Sequence, residues 1–392
     1  MRKKKSKLKY RQLLIFTLLI ILVSLFASFQ FYKSTKTKRG SDSSLVAKSI
    51  VYPTLYSDKH ITKNAIVSNP KFKNTIVFNK EKLTANVSSF IKRNKTFISS
   101  AKIENGVWLW TPILEITPEY RDSIIAGAKK ESLSNIYLSI DSYLDIFVME
   151  EGGEKKEKKR LFDETVESFI AKARKNNITV DAEGGWRNWA EEGHLYKAFA
   201  VLDYAIDFNK THKEKFRGFQ YDVEPYMLDY YQKNKSSVLK NFINLIDESV
   251  VRLDNTDLEF TVVIPEFYDG TSTESSIFFY GGKIAYAFDH LLSVLENRPG
   301  SKIIIMAYRN QSLGRDGSIE ISKDEIARAN KTETKIVIAQ ETGNVKPSYI
   351  TFHNTSKSHY NKEIDVLEKA FESSKSFKGM AVHYINSFLE LK

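Results

Sequence analysis

From residue 104 onward the chain repeats one pattern: a short β-branched or aromatic run, then a longer segment with helical periodicity. The runs cover 106–110, 135–140, 178–182, 218–222, 259–264, 302–306, 335–339 and 379–383, with helical patterns such as 118–131, 163–175, 236–253 and 361–373 between them. A helix between two strands returns the chain to the end where it started, so successive strands lie parallel. Eight such units over about 290 residues predict an α/β fold, a (β/α)8 TIM barrel spanning 104–392. An open doubly wound sheet would place a Gly-rich phosphate turn after its first strand, whereas this strand ends Trp110-Thr111-Pro112. Thr117-Pro118-Glu119 supplies a helix start, with an N-cap Thr, a Pro in the first turn and an early Glu. The last helix is expected at 386–391. The charged stretch 150–160 reads as a solvated loop.

The first hundred residues have a different character. An apolar run covers 13–32, broken by a few hydroxyl residues, and is long enough to cross a bilayer as a helix. Seven Lys or Arg precede it and predict that 1–12 stays cytoplasmic while the remainder crosses. The run is long and lacks a clear small-residue cleavage site, which favours an uncleaved signal anchor over a removed signal peptide. Residues 33–60 read as a polar linker, and 61–103 as an extension packed on the barrel. The expected location is the cell membrane, single-pass, with the barrel extracellular.

The net charge of +11 belongs to this anchor region: residues 1–40 contain eleven Lys or Arg and no acid, and the rest carries 48 of each sign. A basic face for nucleic acid is therefore not expected. The chain has no Cys, which excludes disulfides, thiolate metal sites and Cys nucleophiles.

The active site of such a barrel lies at the C-terminal ends of its strands. Those ends read Trp110-Thr111-Pro112, Asp141, Asp181-Ala182-Glu183-Gly184-Gly185-Trp186, Asp222-Val223-Glu224-Pro225-Tyr226, Pro265-Glu266, Met306-Ala307-Tyr308-Arg309, Gln340-Glu341-Thr342-Gly343 and His383-Tyr384. Carboxylates interleaved with Trp and Tyr suit a sugar. Aromatic faces stack on pyranose rings, and carboxylates move protons and hold hydroxyls. In the fourth run, side chains two apart share a face, so Gln220, Asp222 and Glu224 point into the barrel and Phe219, Tyr221 and Val223 toward the helices. Inward acids are costly unless paired or working. Pro225 stops the strand and holds Glu224 at the rim, where Asp222 one layer below can raise its pKa. Candidate sugar contacts are Trp110, Asp141, Glu183, Trp186, Gln220, Glu266 and His383. Trp108 reads as core. His194, His290, His353 and His359 lack metal-site spacing, and no metal or organic cofactor is expected.

Several strand ends resemble glycoside hydrolase family 18, the chitinase-like barrels. Glu183-Gly184-Gly185-Trp186 is similar to its Gly-Gly pair after strand three. Gly218 to Glu224 is similar to the D-G-x-D-x-D-x-E motif, and Met306-Ala307-Tyr308 to Met-x-Tyr on strand six. The resemblance implies Glu224 as proton donor, Asp222 orienting a substrate acetamido group and Tyr308 steadying the intermediate. Two motif aspartates are replaced by Arg217 and Gln220, and His383-Tyr384 stands at the strand-eight aromatic position. Glu224-Pro225 and Glu341 also resemble the acid/base and nucleophile positions of the large retaining-glycosidase clan. In that scheme Glu341 attacks the sugar, whereas in the first it is a ligand. The D-V-E-P-Y and E-T-G strand ends stand closer still to a group of bacterial glycosidase-like barrels, which implies no particular activity. The expectation is a membrane-anchored extracellular glycoside hydrolase acting on a surface or extracellular polysaccharide, with Glu224, Asp222, Glu341 and Tyr308 as its catalytic set. The alternatives are a non-catalytic carbohydrate-binding barrel of the envelope, and a metal-dependent hydrolase using Asp222, Glu224, Glu266 and His383.

Overall fold

The computed structural model describes residues 103–270 and 276–392. The anchor, linker and extension expected over 1–102 lie outside the described residues. Among the described residues, no helix is long and apolar enough to cross a membrane.

Eight parallel strands close into a barrel. They are β1 (Glu104–Leu109), β2 (Asn135–Ser139), β3 (Thr179–Gly184), β4 (Gly218–Tyr221), β5 (Glu259–Pro265), β8 (Lys302–Met306), β9 (Lys335–Glu341) and β10 (Phe377–His383). The barrel seals where β1 pairs with β10, Glu104 opposite Gly379 and Val107 opposite Val382. The connecting helices are α1 (Pro118–Lys130), α2 (Tyr143–Phe147), α3 (Gly153–Lys175), α4 (Leu195–Thr211), α5 (Tyr231–Arg252), α6 (Ala287–Leu295), α7 (Ser318–Ala329), α8 (Lys357–Phe371) and α9 (Ile385–Leu389). Thr117 caps α1 by accepting the Tyr120 amide, with Pro118 in the first turn.

One local expectation fails. The charged stretch 150–160 is not a loop: from Gly153 it forms the first turns of α3. Its charges fall at helical spacing, with Glu154–Lys158 at 3.1 Å, Glu157–Arg160 at 2.7 Å, Lys159–Asp163 at 2.6 Å and Arg160–Glu164 at 2.5 Å. Alternating charges three and four apart support an exposed helix face. Charge density alone does not reveal that spacing. The connection after β5 also holds a hairpin, β6 (Ile277–Tyr280) and β7 (Lys283–Tyr286). Phe278 is buried, and its carbonyl accepts from Nε2 of buried His290 at 3.0 Å.

The strand period of two divides the core. Val107, Leu109, Phe219, Tyr221, Ile303 and Ile305 pack outward against the helices, and the Tyr221 hydroxyl donates to the Ala198 carbonyl of α4 at 2.9 Å. The inward side is polar at the floor. Arg217 makes two 3.0 Å bonds to Glu104 and binds Asp181 at 2.8 Å. Lys302 reaches Glu104 at 3.2 Å and Glu259 at 2.9 Å. Tyr137 donates to Glu104, and Asn135 to Asp181, both at 3.1 Å. Gly106 leaves room for the Tyr137 ring, where a Cβ would clash with ring atoms. Burial by itself would raise the Glu104 pKa, but Lys302 and Arg217 outweigh it and hold the carboxyl far below the usual range. Buried acids at this end are therefore matched by buried cations.

Candidate active site

The opposite end of the barrel holds the carboxyl groups read from the strand ends. Gly185 explains how they come together. A Cβ there would overlap the Asp222 carbonyl oxygen, and one at Gly184 would crowd Asp141 Oδ1 and Val201. The Gly-Gly pair thus lets the end of β3 close against both β4 and the loop after β2. The Gly185 amide faces Asp141 Oδ2 at 3.4 Å. Burial, then the charges of Asp141 and Asp222, push the Glu183 carboxyl well above the usual range, opposed by the Ser139 hydroxyl. Burial, then Glu224 and Asp141, do the same to Asp222. Burial pushes Asp141 up to about 8, with the Gly185 amide opposing.

Glu224 follows the end of β4 and is 5% exposed. Its backbone leaves the strand at φ −111° and ψ 67°, and Pro225 begins a single 3-10 turn. That turn brings the Tyr226 hydroxyl back to donate to Glu224 Oε1. Tyr308, just beyond β8, is buried. Burial, then Glu341, Asp222, Glu224 and Glu266, raise its hydroxyl well above the usual tyrosine range.

The other wall is a hydrogen-bonded chain. His383 Nδ1 lies 2.7 Å from Glu341 Oε2, and the Trp110 indole N–H donates to His383 Nε2 at 3.0 Å. An indole can only donate, so Nε2 accepts and the neutral ring carries its proton on Nδ1, donating to Glu341. Glu341 is fully buried, and its Oε1 accepts the Gly343 amide at 2.5 Å. Both Glu341 oxygens are engaged. The His383 ring stacks 6.2 Å from Tyr308 and meets Trp110 edge-on at 5.7 Å.

The remaining candidates separate. Gln220 is fully buried one layer below Asp222, its amide atoms without a partner among the described residues. Glu266 sits at the side of the mouth, 3.7 Å from Arg309, which also pairs with Asp316 at 2.9 Å. Trp186 packs half-buried on the core, with the Arg187 guanidinium 5.6 Å above its ring. Trp108 lies inside the barrel against Tyr137 at 5.0 Å and His383 at 6.0 Å, not in the outer apolar layer. Among the described residues no three His, Asp or Glu side chains converge as metal ligands, including the set Asp222, Glu224, Glu266 and His383. Sequence reading passed over Tyr226. Its one signal is position, two residues past Glu224 behind a turn-forming Pro.

Fold and site together define a (β/α)8 barrel whose mouth is lined by carboxyl groups, Tyr308 and Trp110. The sequence matches no protein-family model and no curated protein. Among solved structures it is similar to the endo-1,4-beta-mannanase from Rhizomucor miehei, at 11% identity and TM-score 0.46, covering 73% of this chain and 87% of that one. It is similar also to the spore cortex-lytic enzyme SleL from Bacillus megaterium QM B1551 (12% identity, TM-score 0.43, 75% of this chain and 74% of that one). A third is a GH18 chitinase from Cycas revoluta in complex with (GlcNAc)4, at 10% identity and TM-score 0.43, covering 73% of this chain and 96% of that one.

Proposed function

We propose that this chain is a membrane-tethered glycoside hydrolase acting outside the cytoplasm on a hexosamine-containing surface or extracellular polysaccharide. Glu224 is its proton donor. The observation that supports this most is the arrangement around Glu224: it is held at the rim, with the Tyr226 hydroxyl on Oε1 and Asp222 beneath it. As general acid, Glu224 gives its proton to the glycosidic oxygen.

In the cleavage step Glu224 protonates that oxygen while the bond to the anomeric carbon breaks. The 2-acetamido carbonyl oxygen of the same sugar attacks the anomeric carbon, and Asp222 accepts the acetamido N–H. Tyr308 donates to the resulting ring intermediate. Water then adds at the anomeric carbon, returning a proton to Glu224. Glu341 serves as a positioning residue: with Gly343 on one oxygen and His383 on the other, it orients His383 and is not the attacking group. Membrane attachment through 13–32 rests on the apolar run and its basic flank.

A second reading is favoured by one observation. Arg217 and Gln220 stand where the resembled motif has aspartates, and Arg217 is committed to the barrel floor. The protein would then bind a polysaccharide without cleaving it. Reducing-end release by the full-length protein in detergent, across N-acetylated and neutral polysaccharides, separates the two. Glu224→Gln is expected to lose at least about 100-fold in rate, the lower range for a general acid. Retention of a polysaccharide on a column by both proteins, with release by neither, establishes the binding reading. Release that survives Glu224→Gln rejects Glu224 as the acid.

A further inference from the structure

The two ends of the barrel treat buried acids in opposite ways. At the floor, Glu104 and Asp181 are each bound to Arg217, and Lys302 completes the match. At the mouth, Asp141 and the Asp222 backbone close on Gly184 and Gly185, just beyond Glu183, and none of the groups that set the proton affinities of these three acids is a cation. Arg309 is spent on Glu266 and Asp316 at the side, and His383 donates to Glu341 as a neutral ring. Oxygens of Asp141 and Asp222 stay without a hydrogen-bond partner among the described residues, as does the fully buried amide of Gln220 on the same inward face. Buried carboxyls are stable as a group only when protonated or when a cation joins them. A divalent ion is disfavoured, since no three of these side chains converge as ligands among the described residues. The missing partner is then a positive group brought by the ligand.

We propose that this cluster binds a protonated amino group, and that the substrate is a partly de-N-acetylated hexosamine polymer, an inference that rests on the glycosidase reading above. The acetylated unit occupies the cleavage position beside Asp222 and Glu224. A unit with a free 2-amino group places its ammonium against Asp141 and Glu183. Binding moves protons in one direction: a carboxylic acid O–H releases its proton to solvent, and the ammonium keeps its own. Affinity therefore rises with pH as the carboxyls ionise and falls again once the sugar amine, which titrates like an ordinary α-amino group at about 8, loses its proton.

The test uses full-length protein in detergent and calorimetric titration with glucosamine and galactosamine against their N-acetyl forms. Two buffers of different ionisation heat count the protons released. The free amino sugars are expected to bind at least about tenfold tighter, a floor for one ammonium–carboxylate contact, with proton release and weakening by salt. Asp141→Asn and Glu183→Gln should each bring the ratio toward one without lowering the melting temperature, since each removes an acid that has no counter-charge. Amine affinity and the amine-to-N-acetyl ratio unmoved in both variants overturn the inference. Glu224-dependent cleavage of a polysaccharide without preference for amines sinks this inference alone. Amine selectivity with no cleavage of any polymer sinks the glycosidase reading alone.

Discussion

Replacing Lys302 by Met tests whether the floor network stabilises the barrel by charge balance or only by filling space. Lys302 is 2% exposed and sits between Glu104 at 3.2 Å and Glu259 at 2.9 Å. Met matches the length of the stem but supplies no charge. Glu104 keeps its two 3.0 Å bonds to Arg217, while Glu259 is partly exposed and can be solvated. Removing one partner of a buried pair costs about 3–5 kcal/mol. The retained Arg217 bonds place this case at the lower end, about 3 kcal/mol. For a barrel of this size that corresponds to a melting temperature lower by about 6 °C. The pH dependence gives a second signature. A carboxyl held below its unfolded pKa contributes stability that is present above the unfolded value, about 4.3 for Glu, and lost as pH falls toward the folded value. Without Lys302 the Glu104 carboxyl is less depressed, so the deficit should be largest near neutrality and shrink in acid. Thermal unfolding of full-length wild type, Lys302→Met and the double variant Lys302→Met/Glu104→Gln, across pH, measures all three quantities. The double variant removes one charge of each sign and leaves Arg217 with Asp181, so it should recover part of the loss. A deficit below about 1 kcal/mol, the worth of an exposed pair, or a double variant no more stable than the single one, refutes the charge-balance argument.

Gly185→Ala should abolish polysaccharide cleavage and lower the melting temperature, because its Cβ would overlap the Asp222 carbonyl oxygen and must push β3 from β4; rate and melting measured together check it, and unchanged activity refutes the role given to the Gly-Gly pair. Asp141→Asn should melt higher than wild type near pH 8 and lose that advantage in acid. The Asp141 pKa is raised to about 8, so the folded state holds a proton that the unfolded state has released, and wild-type stability falls between the two pKa values. Trp110→Phe removes the indole donor to His383 Nε2 and frees that nitrogen to carry the proton; a changed tautomer ratio in imidazole nitrogen NMR is expected, and an unchanged one contradicts the hydrogen-bond chain.

Much of the barrel was legible in the linear chain because its signals are local. Strand alternation has a period of two, so residues 218–224 announce by themselves which side chains face inward, and Pro225 announces where the strand stops. The Gly-Gly pair and the acids at the strand ends are likewise local marks. The hairpin within 277–286 was not legible, because nothing in its length or composition separates an added strand pair from an ordinary connection after β5. The α3 start was misread because ion pairing depends on spacing and not on charge density.

The site divides along the same line. Sequence alone determined the residue types at the mouth and their heights along each strand, since backbone geometry sets both. It also determined an apolar run at 13–32 with basic residues before it. Only the tertiary structure decided the partners. Glu341 lies 42 residues from His383, and Trp110 lies 273 from it, yet the three form one chain. Arg217 and Lys302 are drawn to Glu104 across 113 and 198 residues. Partnerships of that kind arise from barrel closure, which brings strand ends together whatever their distance in sequence. Closure therefore decides which buried acids receive a protein cation and which are left for a proton or a ligand.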